Sequence, residues 1–256
     1  MLMKISLLAR APRRSALALA LFSLAALPCV STFAQSDADA AKASAAAAPA
    51  SPKPSANPAA DTHPLPPLPA DAHTQQSITL DGKKLNYAVT VGTLIARDAD
   101  GKAAGQVVYT AYTVDAPNRP VTFAFNGGPG AASVYLNFGA IGPKHLNAGN
   151  EGDSPSDPAT LIDNQGTWLD FTDLVFIDPV STGFSRAVSG GKPKAYHGFT
   201  GDLESVGEVI RLWTTRNNRW LSPKFIAGES YGTVRAAALA EHLQTRRGMF
   251  LNGIIL

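Results

Sequence analysis

Cysteine is all but missing: among 256 residues there is one, Cys29. It sits in a segment that export would remove, so disulfides, a cysteine nucleophile and thiolate metal ligation are excluded from the folded part. Charge is scarce as well. Charged residues make up 16% of the chain and hydrophobic ones 45%, the balance of a globular protein rather than a disordered one. No stretch has the roughly 20 apolar residues that cross a bilayer, since the run from Ser15 to Leu27 is only about 13 long. A basic footprint is also lacking. Removing Lys4, Arg10, Arg13 and Arg14 with the leader takes the formal charge from +2 to −2, which excludes a nucleic-acid partner on charge grounds.

Arg10, Arg13 and Arg14 precede the apolar run, and Thr32-Phe33-Ala34 offers small residues where a signal peptidase reads. Residues 1–34 are therefore expected to be a secretory signal peptide, and the mature protein to be exported, periplasmic or secreted, without a stable membrane span. Residues 35–75 hold 14 Ala and 8 Pro. Such a segment cannot bury enough surface to offset its ordering entropy, so a disordered Ala/Pro-rich linker is expected, stiffened by Pro64, Pro66, Pro67 and Pro69. His63 and His73 read as solvated. Residues 76–256 then form one folded domain.

Within that domain, Ser77 to Leu80 and Lys84 to Val89 flank Asp81-Gly82, a strand, tight turn and strand. Gln106 to Val114 reads as another strand. Short apolar runs at Val121 to Phe125, Leu174 to Ile177, Phe225 to Ala227 and Ile254 to Leu256 read as buried strands. Gly201 to Arg216 places Leu203, Val206, Val209, Ile210 and Trp213 at helical spacing, with Trp213 in the core. Thr233 to Arg247 is Ala-rich, free of Gly and Pro, and followed by Gly248, a helix with a glycine stop. Hairpins followed by alternating strands and helices predict an α/β sheet.

Gly228-Glu229-Ser230-Tyr231-Gly232 has the pattern G-x-S-x-G between an apolar strand and a helix. In that setting the glycines permit a sharp turn that lifts the serine oxygen above the sheet edge in a strained conformation. Attack on a carbonyl also needs donors for the oxyanion. One should be the Tyr231 N–H, and Asn126 to Gly130 is a glycine-rich loop in the right chain order to supply the other. That loop has neither the Gly-Lys-Ser/Thr of a phosphate loop nor the last glycine of a dinucleotide fingerprint.

Asn126-Gly127-Gly128-Pro129-Gly130 with Ser133, then Asn164 and Trp168, then the block from Leu174 to Ser185, then Gly228 to Gly232, resembles the serine carboxypeptidases in order and spacing. The resemblance spans about residues 120 to 256 and implies an α/β-hydrolase-type peptidase that removes C-terminal residues without metal or cofactor. It makes Ser230 the acylated nucleophile and gives the oxyanion hole to Gly128 and Tyr231. It assigns the substrate's terminal carboxylate to Asn126, Gly127 and Glu229. That last role needs a proton on the acid, favoured by desolvation in a poorly hydrated cleft and by like-charge repulsion, so peptide binding should be tightest under acidic conditions. Ala124 and Ala140 stand where the best-studied members carry tryptophan and a second glutamate, so the proton-sharing network is incomplete. Ala131 replaces their usual cysteine.

A serine nucleophile needs a histidine base oriented by an acid, in the chain order Ser, acid, His. Only Glu241 and His242 follow Ser230, and on one helix His242 lies too far along to return. His145 and His197 precede the serine and read as surface or satisfied core residues. The chain is therefore expected to be the N-terminal portion of a longer enzyme, inactive alone and ending inside its sheet. An esterase or acyltransferase on the same nucleophile, or a non-catalytic exported domain that binds peptides, stays open. The oligomeric state is not legible.

Overall fold

The hairpin around Asp81-Gly82 forms the start of the sheet. Strand β1, Ala72–Leu80, turns through Asp81 (φ 47°) and Gly82 (φ 76°) into β2, Lys83–Arg97. Both turn residues are left-handed, as a two-residue type I′ turn requires. Strand β3, Ala103–Thr113, completes an antiparallel meander. The computed structural model describes residues 66–98, 100–147 and 158–256, all within one unit, Asp61–Leu256. The leader, Cys29 and the linker up to residue 65 lie outside the described residues.

The end of the segment read as linker is not free chain. Strand β1 begins at Ala72, Asp71 accepts hydrogen bonds from the Thr93 N–H and from Arg216 at 3.0 Å each, and the Pro66 carbonyl accepts from Arg186. The reason is that a strand can be held by its backbone alone. Ala72 to Gln76 are exposed yet pair residue by residue with Tyr87 to Val91, and composition registers side chains only. His73 is exposed, as expected, with its Nδ1 3.0 Å from Thr90 Oγ1.

The rest of the chain alternates. Strand β4 is Val121–Phe125. A short helix α1, Val134–Leu136, runs on into a π-type turn, Asn137–Ile141. Strands β5, Lys144–Leu146, and β6, Leu161–Asp163, form a separate pair. Strand β7, Asp173–Ile177, is followed by the two-residue β8, Arg186–Ala187, and by helix α2, Phe199–Arg216. Strand β9, Lys224–Gly228, leads into helix α3, Tyr231–Arg247, and strand β10, Gly253–Ile255. Gly248 caps α3 in the left-handed region (φ 62°), the expected glycine stop. The main sheet runs β1-β2-β3-β7-β4-β9-β10, with β8 beside β3 and with β7, β4, β9 and β10 mutually parallel.

Period-two alternation divides the core between the two faces of the sheet. Val121, Phe123, Phe125, Val175, Ile177 and Ile226 face α2 and α3, meeting Val206, Val209, Ile210, Trp213, Leu239 and Leu243. Trp213 is 1% exposed and lies edge-on to Phe123, 5.5 Å between centroids. Ala124, Leu174, Phe176 and Ala227 face the other way, toward Ile78, Tyr87, Tyr112 and Leu169.

Two polar features carry measurable consequences. Asp173, fully buried at the start of β7, accepts from Arg119 Nε at 2.8 Å, Arg219 Nη1 at 2.6 Å and the Val114 N–H at 2.9 Å. An Asp173→Ala change strands both guanidinium groups, and urea unfolding should show a loss of about 3–5 kcal/mol. His242, on α3, lies where a Cβ on Gly207 of α2 would come within 2.9 Å of its ring. Burial, and then Arg247 and Arg246 against an opposing Glu204, hold its pKa below the ordinary 6.5. The unfolded chain therefore takes up this proton first. The contribution of neutral His242 is intact above pH 6.5 and is lost as pH falls through the lower folded value. Thermal melts of His242→Gln should show a shallower loss of Tm below that pH than the parent.

Candidate active site

The strand order creates the site before any side chain is considered. Leaving β4 the chain passes to β7 on one side, and leaving β9 it passes to β10 on the other. The carboxyl ends of neighbouring parallel strands β4 and β9 thus open a crevice, the topological switch point where ligands bind in open α/β sheets. Asn126 to Gly130 follows β4 and Gly228 to Gly232 follows β9, so both sequence motifs meet there.

Their contact is backbone on backbone. A Cβ on Gly228 would lie 2.0 Å from the Gly232 carbonyl oxygen, and one on Gly232 would lie 2.8 Å from the Phe125 carbonyl oxygen. The turn is therefore closed on itself and seated against the end of β4. Gly127 would bring its Cβ to 2.4 Å from the Tyr231 nitrogen, so the glycine loop lies directly over the first amide of α3. That amide has no intrahelical acceptor by helix geometry. Ser230 is exposed at the helix N-terminus with φ 55° and ψ −125°, a left-handed backbone for a residue with a side chain. Gly128 is held at φ 105°, where a Cβ would meet the Gly130 nitrogen at 2.8 Å.

Asn126 is 2% exposed and uses its side chain at both ends. Its Nδ2 donates to Glu229 Oε2 at 2.9 Å, and its Oδ1 accepts from the Leu136 N–H at 3.0 Å. The six predicted residues Asn126, Gly127, Gly128, Glu229, Ser230 and Tyr231 thus form one cluster. The expected dry cleft around Glu229 differs from what is found: Glu229 is exposed, because among the described residues only Asn126 reaches its carboxylate.

Among the described residues, the histidines do not join this cluster as a base. His242 is roughly 17 Å along α3 from its first residue at 1.5 Å per residue and packs against α2. His145 is half-buried in β5, and exposed His197 places Nε2 3.0 Å from Ser181 Oγ. Among the described residues, no group of three His, Cys, Asp or Glu is placed to hold a metal ion, and no helix is long and apolar enough to cross a membrane.

Several supports have roles that the sequence did not assign. Arg235, 2% exposed, donates from Nε to Asp202 of α2 at 2.8 Å and from Nη1 to the Asn126 carbonyl at 2.9 Å, tying α2, α3 and the end of β4 together. Asp178 accepts from the Ser133 N–H at 2.8 Å, and a Cβ on Gly183 would meet its Oδ2. Burial pushes the Asp178 pKa up against that hydrogen bond. Ser133 Oγ in turn donates to the Ile177 carbonyl, fixing the loop after β4 to the end of β7. Asn164 donates to the Ala140 and Gly142 carbonyls at 2.7 and 2.8 Å. The signal available was position: Asp178 directly follows the apolar strand β7, and Asp202 and Arg235 lie inside amphipathic helices.

A mixed sheet in this order, with a G-x-S-x-G turn between strand and helix at the switch point, is an α/β-hydrolase fold. The chain belongs to the serine carboxypeptidase family, whose profile matches residues 103–253. It is 33% identical over 135 residues to pheromone-processing carboxypeptidase kex1 of Penicillium rubens, covering 50% of this chain and 20% of that one. With serine carboxypeptidase-like 29 of Arabidopsis thaliana it shares 32% over 123 residues, 46% of this chain and 23% of that one. The matched part is thus about a fifth of these relatives' length. Among solved structures, the rice cell wall degrading esterase LipA from Xanthomonas oryzae aligns at a TM-score of 0.41 and 13% identity, over 71% of this chain and 47% of that one.

The strain at Ser230 is measurable. A left-handed non-glycine backbone costs on the order of 1–3 kcal/mol, so Ser230→Gly should stabilise the fold by about 1 kcal/mol while Ser230→Ala gives no such gain, read by urea denaturation. Gly228→Ala, forced against the Gly232 carbonyl, should cost more than about 3 kcal/mol.

Proposed function

We propose that this chain carries the nucleophile half of a serine carboxypeptidase that releases C-terminal residues from peptides through an acyl-enzyme. Ser230 Oγ attacks the scissile carbonyl, and the oxyanion that forms is received by the N–H groups of Gly128 and Tyr231, each donor worth about 3 kcal/mol of barrier. The terminal carboxylate of the peptide sits against Asn126, Gly127 and Glu229. Glu229 takes part through the carboxyl group that Asn126 Nδ2 holds at 2.9 Å. The observation that carries the reading is the seating of Gly127 against the Tyr231 nitrogen, beside the Asn126 to Glu229 hydrogen bond. Family membership supports it.

On this reading the base and its acid come from the part of the full-length protein beyond Leu256. His242 is packed against α2 and His197 is engaged by Ser181, and the matched relatives are about five times longer than the matched segment. The isolated 256-residue chain is then inactive. The protein works outside the cytoplasm after removal of its leader.

A fluorophosphonate probe applied to the full-length protein should label Ser230 and lose the label in Ser230→Ala. An absence of labelling would favour a non-catalytic peptide-binding domain instead. Glu229→Ala should raise the peptide KM on the order of tenfold while leaving fluorophosphonate labelling of Ser230 in place. An unchanged peptide KM would overturn the carboxylate-holding role of Glu229 and leave an esterase or acyltransferase on the same serine.

A further inference from the structure

Beside the elbow lies a second feature that the nucleophile and its donors do not use. A pocket of about 370 Å³ opens between Pro129 and Gly130 of the glycine loop, the turn at Pro179 to Thr182, and the N-terminal ends of α2 and α3. Tyr231, the residue after the nucleophile, forms one wall, while Asn126 and Glu229 form none of it. The pocket therefore lies beside Tyr231, next in the chain to the reacting serine, and its lining is separate from the pair assigned to the terminal carboxylate. Resting on the carboxypeptidase reading, this is the pocket that receives the residue preceding the scissile bond.

The chemistry of its floor is specific. Arg235 lines the pocket and is 2% exposed. A guanidinium has five N–H donors. Among the described residues, two of them are engaged, at Nε by Asp202 and at Nη1 by the Asn126 carbonyl. The Phe125 and Tyr231 rings lie 5.1 and 5.3 Å from the guanidinium carbon, which holds the group in one plane with its remaining edge fixed. Its charge is balanced by Asp202, so what it offers the cavity is a rigid set of donors. At the mouth stands His197, exposed and joined to Ser181 Oγ at 3.0 Å, with Ser181 held at φ 72°. Pro129, Pro179, Val180 and Tyr231 supply apolar wall that suits a methylene stem, while Thr182, Tyr196 and the Asp202 carboxylate, already engaged by Arg235, complete the lining.

We propose that this pocket selects peptides whose penultimate side chain ends in an oxygen acceptor, glutamate or glutamine, received by the free edge of Arg235 with His197 at the rim. An aliphatic side chain of similar length would leave the buried donors unpaired, which is where discrimination arises.

The test uses the full-length protein carrying Ser230→Ala, titrated calorimetrically with N-acetyl-Glu-Ala, N-acetyl-Gln-Ala and N-acetyl-Leu-Ala. The first two should bind on the order of tenfold more tightly than the third. Arg235→Lys, which keeps the charge facing Asp202 but loses the fork, should bring that ratio toward one. His197→Trp, made at an exposed rim so that folding is preserved even if the buried change is not tolerated, should do the same by closing the mouth. Equal affinities in the parent, a ratio that survives both substitutions, or no binding of any dipeptide overturns the pocket's role. If the ratio appears as expected while the unsubstituted protein cleaves none of the three, the hydrolase reading fails and the pocket stands as a peptide-binding site.

Discussion

Three places where a side chain cannot exist hold the site together. Gly127, Gly228 and Gly232 bring the loop after β4 and the turn after β9 so close that a single methyl group at any of them would overlap backbone atoms. Direct backbone packing fixes distances more tightly than side-chain packing does, because no rotamer can relax it. The consequence is that the first amide of α3, the strained Ser230 and the glycine loop share one small volume at the end of two parallel strands. The conformation of Ser230 is tolerated because the closed glycine turn before it and the helix after it fix its backbone.

Those surroundings are polar lashings rather than further apolar core. Arg235 reaches from α3 to Asp202 on α2 and to the carbonyl of Asn126, and Ser133 joins the glycine loop to Asp178 and Ile177 at the end of β7. Each bond satisfies a group that strand ends and helix starts leave without regular partners. At the opposite end of the strands, Asp173 gathers Arg119 and Arg219 in the same manner. A larger pocket of about 620 Å³ also lies at that end, near Asn86, Arg119 and Asn217, but the switch-point geometry that makes an α/β sheet a binding scaffold is absent there.

Much of the fold was legible because its elements are short and buried. Val121 to Phe125 is a strand at the same bounds in sequence and structure, since a five-residue run that is apolar but for Thr122 and ended by Asn-Gly-Gly has few other uses. The helix of Leu203, Val206, Val209, Ile210 and Trp213 follows from its period, and Asp81-Gly82 from its turn chemistry. Less visible were elements made by backbone pairing with little side-chain signature: the first half of β1, the short β8, and the β5–β6 pair. The six candidate site residues were legible as two motifs. Arg235 was not, because an arginine within an Ala-rich helix looks like a solvated face until its neighbours on α2 and at the end of β4 are known.

The sequence by itself determined where the strands stop and where the chain must bend without a Cβ, because steric exclusion and apolar runs are local properties. Only the tertiary structure decided that the two bends meet, that Asn126 finds Glu229 across about a hundred residues, and that Arg235 is buried beneath a pocket. Those facts depend on strand order, in which β9 returns to lie beside β4. Which strands become neighbours is set by the summed packing of the whole sheet and its crossing helices, and no single segment encodes it.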